Sequence, residues 1–338
     1  MGEGGIVLKV LVTGGGGFLG LGVCRALVEA GYEVTSFSRG GYPALEGIGI
    51  GTIRGDLGDR GTVLKAVKGM DAVVHTAAKV GFWGKYEDFH RTNVLGTENV
   101  VAACRKNGTS NLVFTSSPSV VFGGKDIEGA DESIPYPPFH GAFYNRTKAE
   151  SERFVLSSNG EELRTVALRP HLIFGPGDDR LVPRLVQAAR YGRLRRIGSG
   201  KNIVDTVYID NASEAHVLAL KALESNPGAR GRAFFITNGE PRNAWEMIDR
   251  LLSVAGAPAI RGSVPKGVAM AGAGLLELSH RILRRKGEPM VTRFLLDELT
   301  TSHWFDISAA KKELGYVPMI SIDEGIRRYG EYLKEHPI

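Results

Sequence analysis

The chain has 338 residues, 43% of them hydrophobic, enough to bury the core of one large domain or of two lobes. Its net charge is a mild +5, which fits solvated faces, and no nucleic-acid motif accompanies it. No run of about 18 apolar residues offers a membrane span, and the polar, glycine-rich Met1–Gly5 predicts no signal peptide and a cytoplasmic protein. Cys24 and Cys104 fall in helical patterns without ligand spacing, so both read as reduced core residues and no metal is expected.

Val7–Thr13 is a β-branched strand pattern that runs into Gly14–Gly17, and a helical pattern follows over 18–30. Glycines permit backbone angles closed to other residues and let a pyrophosphate approach the main chain. The helix behind them offers unpaired N–H groups and a positive dipole end. Gly15, Gly17 and Gly20 fit G-x-G-x-x-G, while Gly14, Gly17 and Gly20 fit a three-residue spacing after Thr13. A merely flexible turn is the plainer alternative, but strand and helix are both present. A second strand, 33–37, ends at Ser38-Arg39. An acid here would hold a ribose 2′-hydroxyl, whereas Ser38 and Arg39 suit a 2′-phosphate, so NADP(H) is expected over NAD(H).

A third strand, 51–54, leads to Asp56-Leu57, where the acid meets adenine or serves a helix cap near Asp59. A fourth, 71–76, ends in Ala77-Ala78-Lys79, small residues against which a cofactor can lie. The aromatic loop 80–86 follows at the carboxyl edge, where open α/β sheets bind ligands. The helix over 86–106 carries Asn93, expected to make a structural hydrogen bond near the active site. A fifth strand, 111–117, stops at Thr115-Ser116-Ser117-Pro118. The stretch 123–138 reads as loop. A sixth strand, 164–169, precedes Pro170 and a Gly-Pro-rich loop over 174–178.

This alternation predicts a Rossmann-type doubly wound parallel sheet over 1–178 and a smaller, mostly helical substrate lobe over 179–338. Extended pieces at 203–209 and 233–236 are expected to return to the main sheet. The apolar segment 268–283 runs into Arg281, Arg284, Arg285 and Lys286. It reads as a core helix with a cationic last turn, or as a face for a membrane or pathway partner. A homodimer is expected.

Tyr144 and Lys148, four apart on a helix running to about Ser157, share a face. Ketone reduction needs a proton donor as hydride arrives, and a free phenol with pKa near 10 is sluggish. A cation at ~4 Å and effective dielectric ~20 is worth roughly 4 kcal/mol, about three pKa units, which would bring Tyr144 near neutrality. Ser117, at the end of the neighbouring strand, would hydrogen-bond the carbonyl oxygen.

Together Thr13-Gly14-x-x-Gly17-Phe18-Leu19-Gly20, Asp56-Leu57, Ala77-Ala78, Ser117, Tyr144-x-x-x-Lys148, Arg169-Pro170 and Gly175–Asp178 resemble the extended short-chain dehydrogenase/reductases over nearly the whole chain. The resemblance implies that Tyr144 is the acid/base, that Lys148 binds the nicotinamide ribose and tunes it, and that Ser117 polarises the substrate, with Ser116 the alternative count. It places residues around Pro170–Ile173 beside the nicotinamide. Pro118-Ser119 stand where sugar-nucleotide dehydratases carry an acidic pair. The stretch 115–122 is instead similar to the 3β-hydroxysteroid and sterol-4α-carboxylate dehydrogenase branch. Ala77–Lys79, Phe82-Trp83-Gly84, Arg169–Ile173, Tyr208–Asn211, Asn238–Pro241 and His303–Ser308 resemble the 2-alkyl-3-oxoalkanoate reductases of bacterial long-chain olefin biosynthesis. A hydrophobic keto or hydroxy acid substrate is implied, with Lys79, His171 or Arg180 meeting its carboxylate. Sterol-acid oxidation is the second reading. A non-catalytic dinucleotide sensor is the third, although such relatives tend to lose the tyrosine or lysine and this chain keeps both.

Overall fold

The computed structural model describes residues 7–139, 141–283, 285 and 287–338. The signal-peptide expectation rests on Met1–Gly5, which lie outside the described residues, as do Arg284 and Lys286 of the basic run.

The chain opens with β1 (Lys9–Thr13), α1 (Phe18–Glu29), β2 (Glu33–Ser38), the short α2 (Pro43–Glu46), β3 (Gly51–Arg54), α3 (Arg60–Val67) and β4 (Ala72–His75). A long helical stretch comes next as α4 (Tyr86–Phe89), a π-helical turn (His90–Leu95) and α5 (Gly96–Asn107). Then come β5 (Asn111–Thr115), β6 (Ile127–Ala130), α6 (Phe143–Ser157), β7 (Arg164–Pro170) and β8 (Ile173–Phe174). The remainder holds α7 (Leu181–Arg190), β9 (Arg196–Ile197), β10 (Ile203–Val204), β11 (Val207–Tyr208), α8 (Ile209–Ser225) and β12 (Arg232–Ile236). It continues with β13 (Arg242–Asn243), α9 (Ala244–Val254), β14 (Ser263–Val264), α10 (Lys266–Ile282) and α11 (Arg293–Thr300). It ends with β15 (His303–Phe305), α12 (Ser308–Leu314) and α13 (Ile322–Glu335).

The main sheet is parallel, in the order β12-β7-β5-β4-β1-β2-β3. Alternation along β1 explains its two cores. Val10 and Val12 face α1 and α8 with Cys24, whereas Leu11 faces α3 and α5 with Cys104. Both thiols are buried and free, and burial pushes each up to about 12. A third cluster, centred on Trp245, Tyr208 and Tyr329, packs α7, α9 and α13 in the C-terminal half. The direction of winding reverses between β1 and β4, so a crevice opens at their carboxyl ends.

Two sequence expectations are corrected here. Residues 203–209 do not return to the main sheet. Ile203–Val204 joins a separate four-stranded sheet with β13, β15 and β6, and Val207–Tyr208 pairs with β8. Only Arg232–Ile236 runs beside β7. The 123–138 loop contains β6, a strand held by distant pairing to β15. No helix among the described residues is long and apolar enough to cross a membrane.

Candidate active site

The glycine turn is built by exclusion. Gly14 takes φ +74°, and a Cβ there would lie 2.8 Å from the Ala77 Cα, so β1 and β4 touch main chain to main chain at the crevice. A Cβ on Gly20 would fall 2.1 Å from the Gly14 carbonyl oxygen, which seats α1 directly under the turn. Gly17 caps α1 without any side-chain hydrogen bond, leaving its first N–H groups for an anion. This cradle fits a dinucleotide pyrophosphate. Phe18 and Leu19 turn away from it, half-buried against the C-terminal cluster.

At the β2 end, Ser38 is buried with its hydroxyl 3.1 Å from that of Ser36, and Arg39 is exposed beside it. Sheet register adds a residue that sequence reasoning missed: Arg54 pairs with Ser38 across β2 and β3. The signal was a basic residue ending the third strand, visible only once the pairing is known. Asp59, not Asp56, caps α3 through Gly61 and Thr62. Asp56 stays half-buried, holding the Gly58 N–H and the Arg91 guanidinium. The Leu57 side chain belongs to the core.

Ala77 and Ala78 line the crevice floor, and Ala77 N–H reaches the Thr13 hydroxyl at 3.3 Å. Asn93, in the π-helical turn, accepts from Lys79 N–H at 2.7 Å and donates to the Lys79 carbonyl at 3.1 Å and the Thr147 hydroxyl at 3.0 Å. Both its amide hydrogens go to protein acceptors, so it joins the Lys79 loop to α6. The Lys79 ammonium faces Asp88 at 3.7 Å and the Phe89 ring at 5.3 Å.

The aromatic loop is fastened to the C-terminal half. Phe82 packs on Phe294 with ring centroids 5.4 Å apart, and its N–H donates to Glu288 at 3.0 Å. Past β7, Leu172 adopts φ 43°, rare for a residue with a side chain, in the turn between Pro170 at the end of β7 and Ile173 in β8. His171 is buried against His303 at 3.2 Å, and both rings are held neutral by burial, so His171 offers no cation.

Tyr144 and Lys148 both come from the first turns of α6. Ser117, just beyond β5, accepts the Ser119 N–H at 3.2 Å and hydrogen-bonds the Tyr144 phenol. Ser116, the alternative count, is buried, and its hydroxyl has no partner among the described residues. Buried polar atoms of Ser119 and Asn145 also have no partner among the described residues, spare capacity around the same strand end.

The expected effect of Lys148 on Tyr144 is corrected. The Lys148 ammonium donates to the Thr115 carbonyl at 2.5 Å and lies 4.1 Å over the Phe114 ring, turned into the protein. Burial pushes its pKa down to about 7, with Glu152 opposing. Tyr144 is pushed up to about 12, chiefly by burial. Ser117 pulls it down, Glu298 raises it and Arg180 lowers it, so the fields acting on the phenol come from residues distant in the chain. Sequence reading missed Glu298, which shows no motif.

A crevice of this shape, with a phenol–hydroxyl pair at its edge, defines an NAD(P)-dependent oxidoreductase of the extended short-chain dehydrogenase/reductase type. The chain belongs to the 3-beta hydroxysteroid dehydrogenase/isomerase family, whose model matches residues 11–261. It is 50% identical over 324 residues to a 2-alkyl-3-oxoalkanoate reductase of Stenotrophomonas maltophilia, covering 95% of this chain and 98% of that one. It is also 35% identical to the decarboxylating sterol-4-alpha-carboxylate 3-dehydrogenase of Mus musculus, over 95% of this chain and 89% of that one. Among solved structures, the UDP-glucuronic acid 4-epimerase of Bacillus cereus in complex with NAD superposes with a TM-score of 0.74 at 23% identity, covering 97% and 99% of the two chains. That likeness concerns the fold.

Proposed function

We propose that the protein catalyses the reversible, NADPH-dependent reduction of a 2-alkyl-3-oxoalkanoate to the 2-alkyl-3-hydroxyalkanoate, within olefinic hydrocarbon biosynthesis. The observation that carries this reading is the near full-length likeness, 50% identical over 98% of the relative, to an enzyme named for that reaction. In this reading residues 1–178 bind the dinucleotide and 179–338 the acyl chains.

When bound, the nicotinamide supplies hydride to the ketone carbon. Everything else falls to the chain. Gly14, Gly17 and Gly20, with the N–H groups of Phe18 and Leu19, hold the pyrophosphate. Asp56 and the Leu57 main chain meet adenine, while Ala77, Ala78 and Lys79 wall the crevice. Pro170 and Ile173 flank the nicotinamide, and Lys148 holds its ribose. The Ser119 N–H on Ser117, and the Ser117 hydroxyl on Tyr144, form a polarised chain of donors aimed at the carbonyl oxygen. A phenol pushed up to about 12 keeps its proton at neutral pH, which suits it to donate as the alkoxide forms. Ser38, Arg39 and Arg54 give a 2′-phosphate one hydroxyl and two cations, which supports NADP over NAD.

Oxidation of a sterol 4-carboxylate is the second reading, favoured by the 41% identity to 3beta-hydroxysteroid-dehydrogenase/decarboxylase isoform 1 of Arabidopsis thaliana, although the chain spans only 65% of that protein. Exposed leucines on α10 support association of the enzyme with a membrane or pathway partner, and a homodimer is proposed. Mixing the purified protein with NADP or NAD and a panel of 2-alkyl-3-hydroxy acids and sterol 4-carboxylates tests these readings together. Reduced cofactor from the fatty acids, faster with NADP, is expected, whereas carbon dioxide release from the sterol acid alone would replace this reading with the second.

A further inference from the structure

Helix α11 lies across the mouth of the site. Phe294 packs on Phe82 at 5.4 Å and on Phe122 at 5.8 Å, and a Cβ on Gly141 would meet its ring at 2.2 Å. Phe122 comes after the Ser117 turn and Gly141 precedes α6, so this face of α11 is wedged between the two segments that carry the catalytic groups. Glu298 is one turn further on the same face. Its backbone carbonyl is fixed by His303 Nε2 at 2.7 Å, and His303 in turn contacts His171 beside Pro170. Its half-buried carboxyl makes no hydrogen bond or ion pair among the described residues, and in its ionised form it raises the Tyr144 phenol. Arg180, from the loop before α7, also acts on Tyr144, and its guanidinium lies 3.8 Å from Asp179, its one ion pair among the described residues.

We propose that Glu298 is the specificity residue of this site, a proton-bearing carboxyl that donates a hydrogen bond to a carboxylate β to the reacting carbon, with Arg180 as counter-charge. The inference rests on the reading of the substrate as a β-keto acid. In such an acid the ketone carbon and the carboxyl carbon are bonded to one common carbon. A ketone held by Tyr144 and Ser117 therefore brings the carboxylate among the groups that surround the phenol. An ionised Glu298 would repel that carboxylate, whereas a neutral acid donates to it in a strong charge-assisted bond. Burial holds the Glu298 carboxyl up to about 8, so it carries its proton at neutral pH. The charged groups on the elements packed against α11 have partners of their own. Lys266 is paired with Asp297, Glu277 with Arg293 and Arg196 with Asp249, and His303 is neutral. Substrate carboxylate would raise the Glu298 pKa further, tightening the pair.

The test compares a 2-alkyl-3-hydroxy acid with its methyl ester, using NADP, in the wild type, Glu298→Leu and Glu298→Gln. Glu298→Leu should raise KM for the acid by about tenfold or more, the effect of one lost charged hydrogen bond. It should leave the ester nearly unchanged, and ester turnover also reports an intact fold. Glu298→Gln keeps a neutral donor, so it should hold the acid KM near wild type at pH 7. It should also remove the wild-type rise in KM above pH 8, while the kcat profile set by Tyr144 and Lys148 persists. Equal effects on acid and ester, or none on the acid, overturn the proposal. If the fatty pair is inert and a 3β-hydroxysteroid 4-carboxylate is oxidised, the proposed substrate is wrong, and the same comparison on that acid and its ester decides Glu298. If no carboxylated alcohol outpaces its ester, Glu298 reads no carboxylate.

Discussion

At the residue scale, proton placement decides the chemistry. Tyr144→Phe removes the phenol that Ser117 hydrogen-bonds. We expect kcat to fall about 10²–10⁴-fold with dinucleotide affinity retained, measured by steady-state kinetics and by cofactor titration. A non-catalytic sensor would keep its function in this variant. Glu298 also couples proton binding to stability. Its folded-state carboxyl is raised from 4.5 to about 8, so between those values the native state holds a proton that the unfolded chain has lost. That group's contribution is complete below pH 4.5 and declines as pH climbs towards 8. Glu298→Gln should therefore gain Tm relative to wild type at pH 9 and show little difference at pH 4.5, read by thermal melts at the two pH values.

At the element scale, the strand–glycine–helix unit was legible from residues alone, because its cause is local. The Gly20 position admits no side chain, since a Cβ would sit 2.1 Å from a carbonyl oxygen. Gly20→Ala should push α1 off the turn, abolishing dinucleotide binding by calorimetry and lowering Tm. The Tyr144–Lys148 spacing was equally plain, for helical periodicity puts both on one face. The direction of the lysine was not. It is set by Thr115 and Phe114 on β5, partners that no count along α6 reveals. The two-residue strands β10 and β11 were likewise illegible in their pairing, because so short a run takes its partner from tertiary contacts. Glu298 belongs with them: nothing along the sequence links it to Tyr144, and α11 is held there through Phe294 on Phe82 and Phe122.

At the scale of the whole molecule, the N-terminal sheet is enclosed on both faces, yet α10 is left largely uncovered. Leu275 is 69% exposed, Leu278 53% and Ile282 69%, beside Arg281 and Arg285. An apolar stripe of this kind edged by cations suits an anionic lipid surface. The double variant Leu275→Glu/Ile282→Glu should lose co-sedimentation with vesicles containing anionic lipid while keeping turnover of a soluble short-chain acid. Equal pelleting of both proteins would count against the membrane reading.

The π-helical turn at His90–Leu95 sets the phase of α5. One surplus residue per turn rotates the downstream helix by about 100° relative to a regular one. Only with that offset can Asn93 reach Lys79 and Thr147 while Asn99 reaches the Leu57 carbonyl at 2.8 Å. Deleting a single residue from this turn would leave a smoother helix and a mistimed one. Its polar side chains would arrive on the wrong bearings, and the floor of the crevice would part from the wall that carries the phenol.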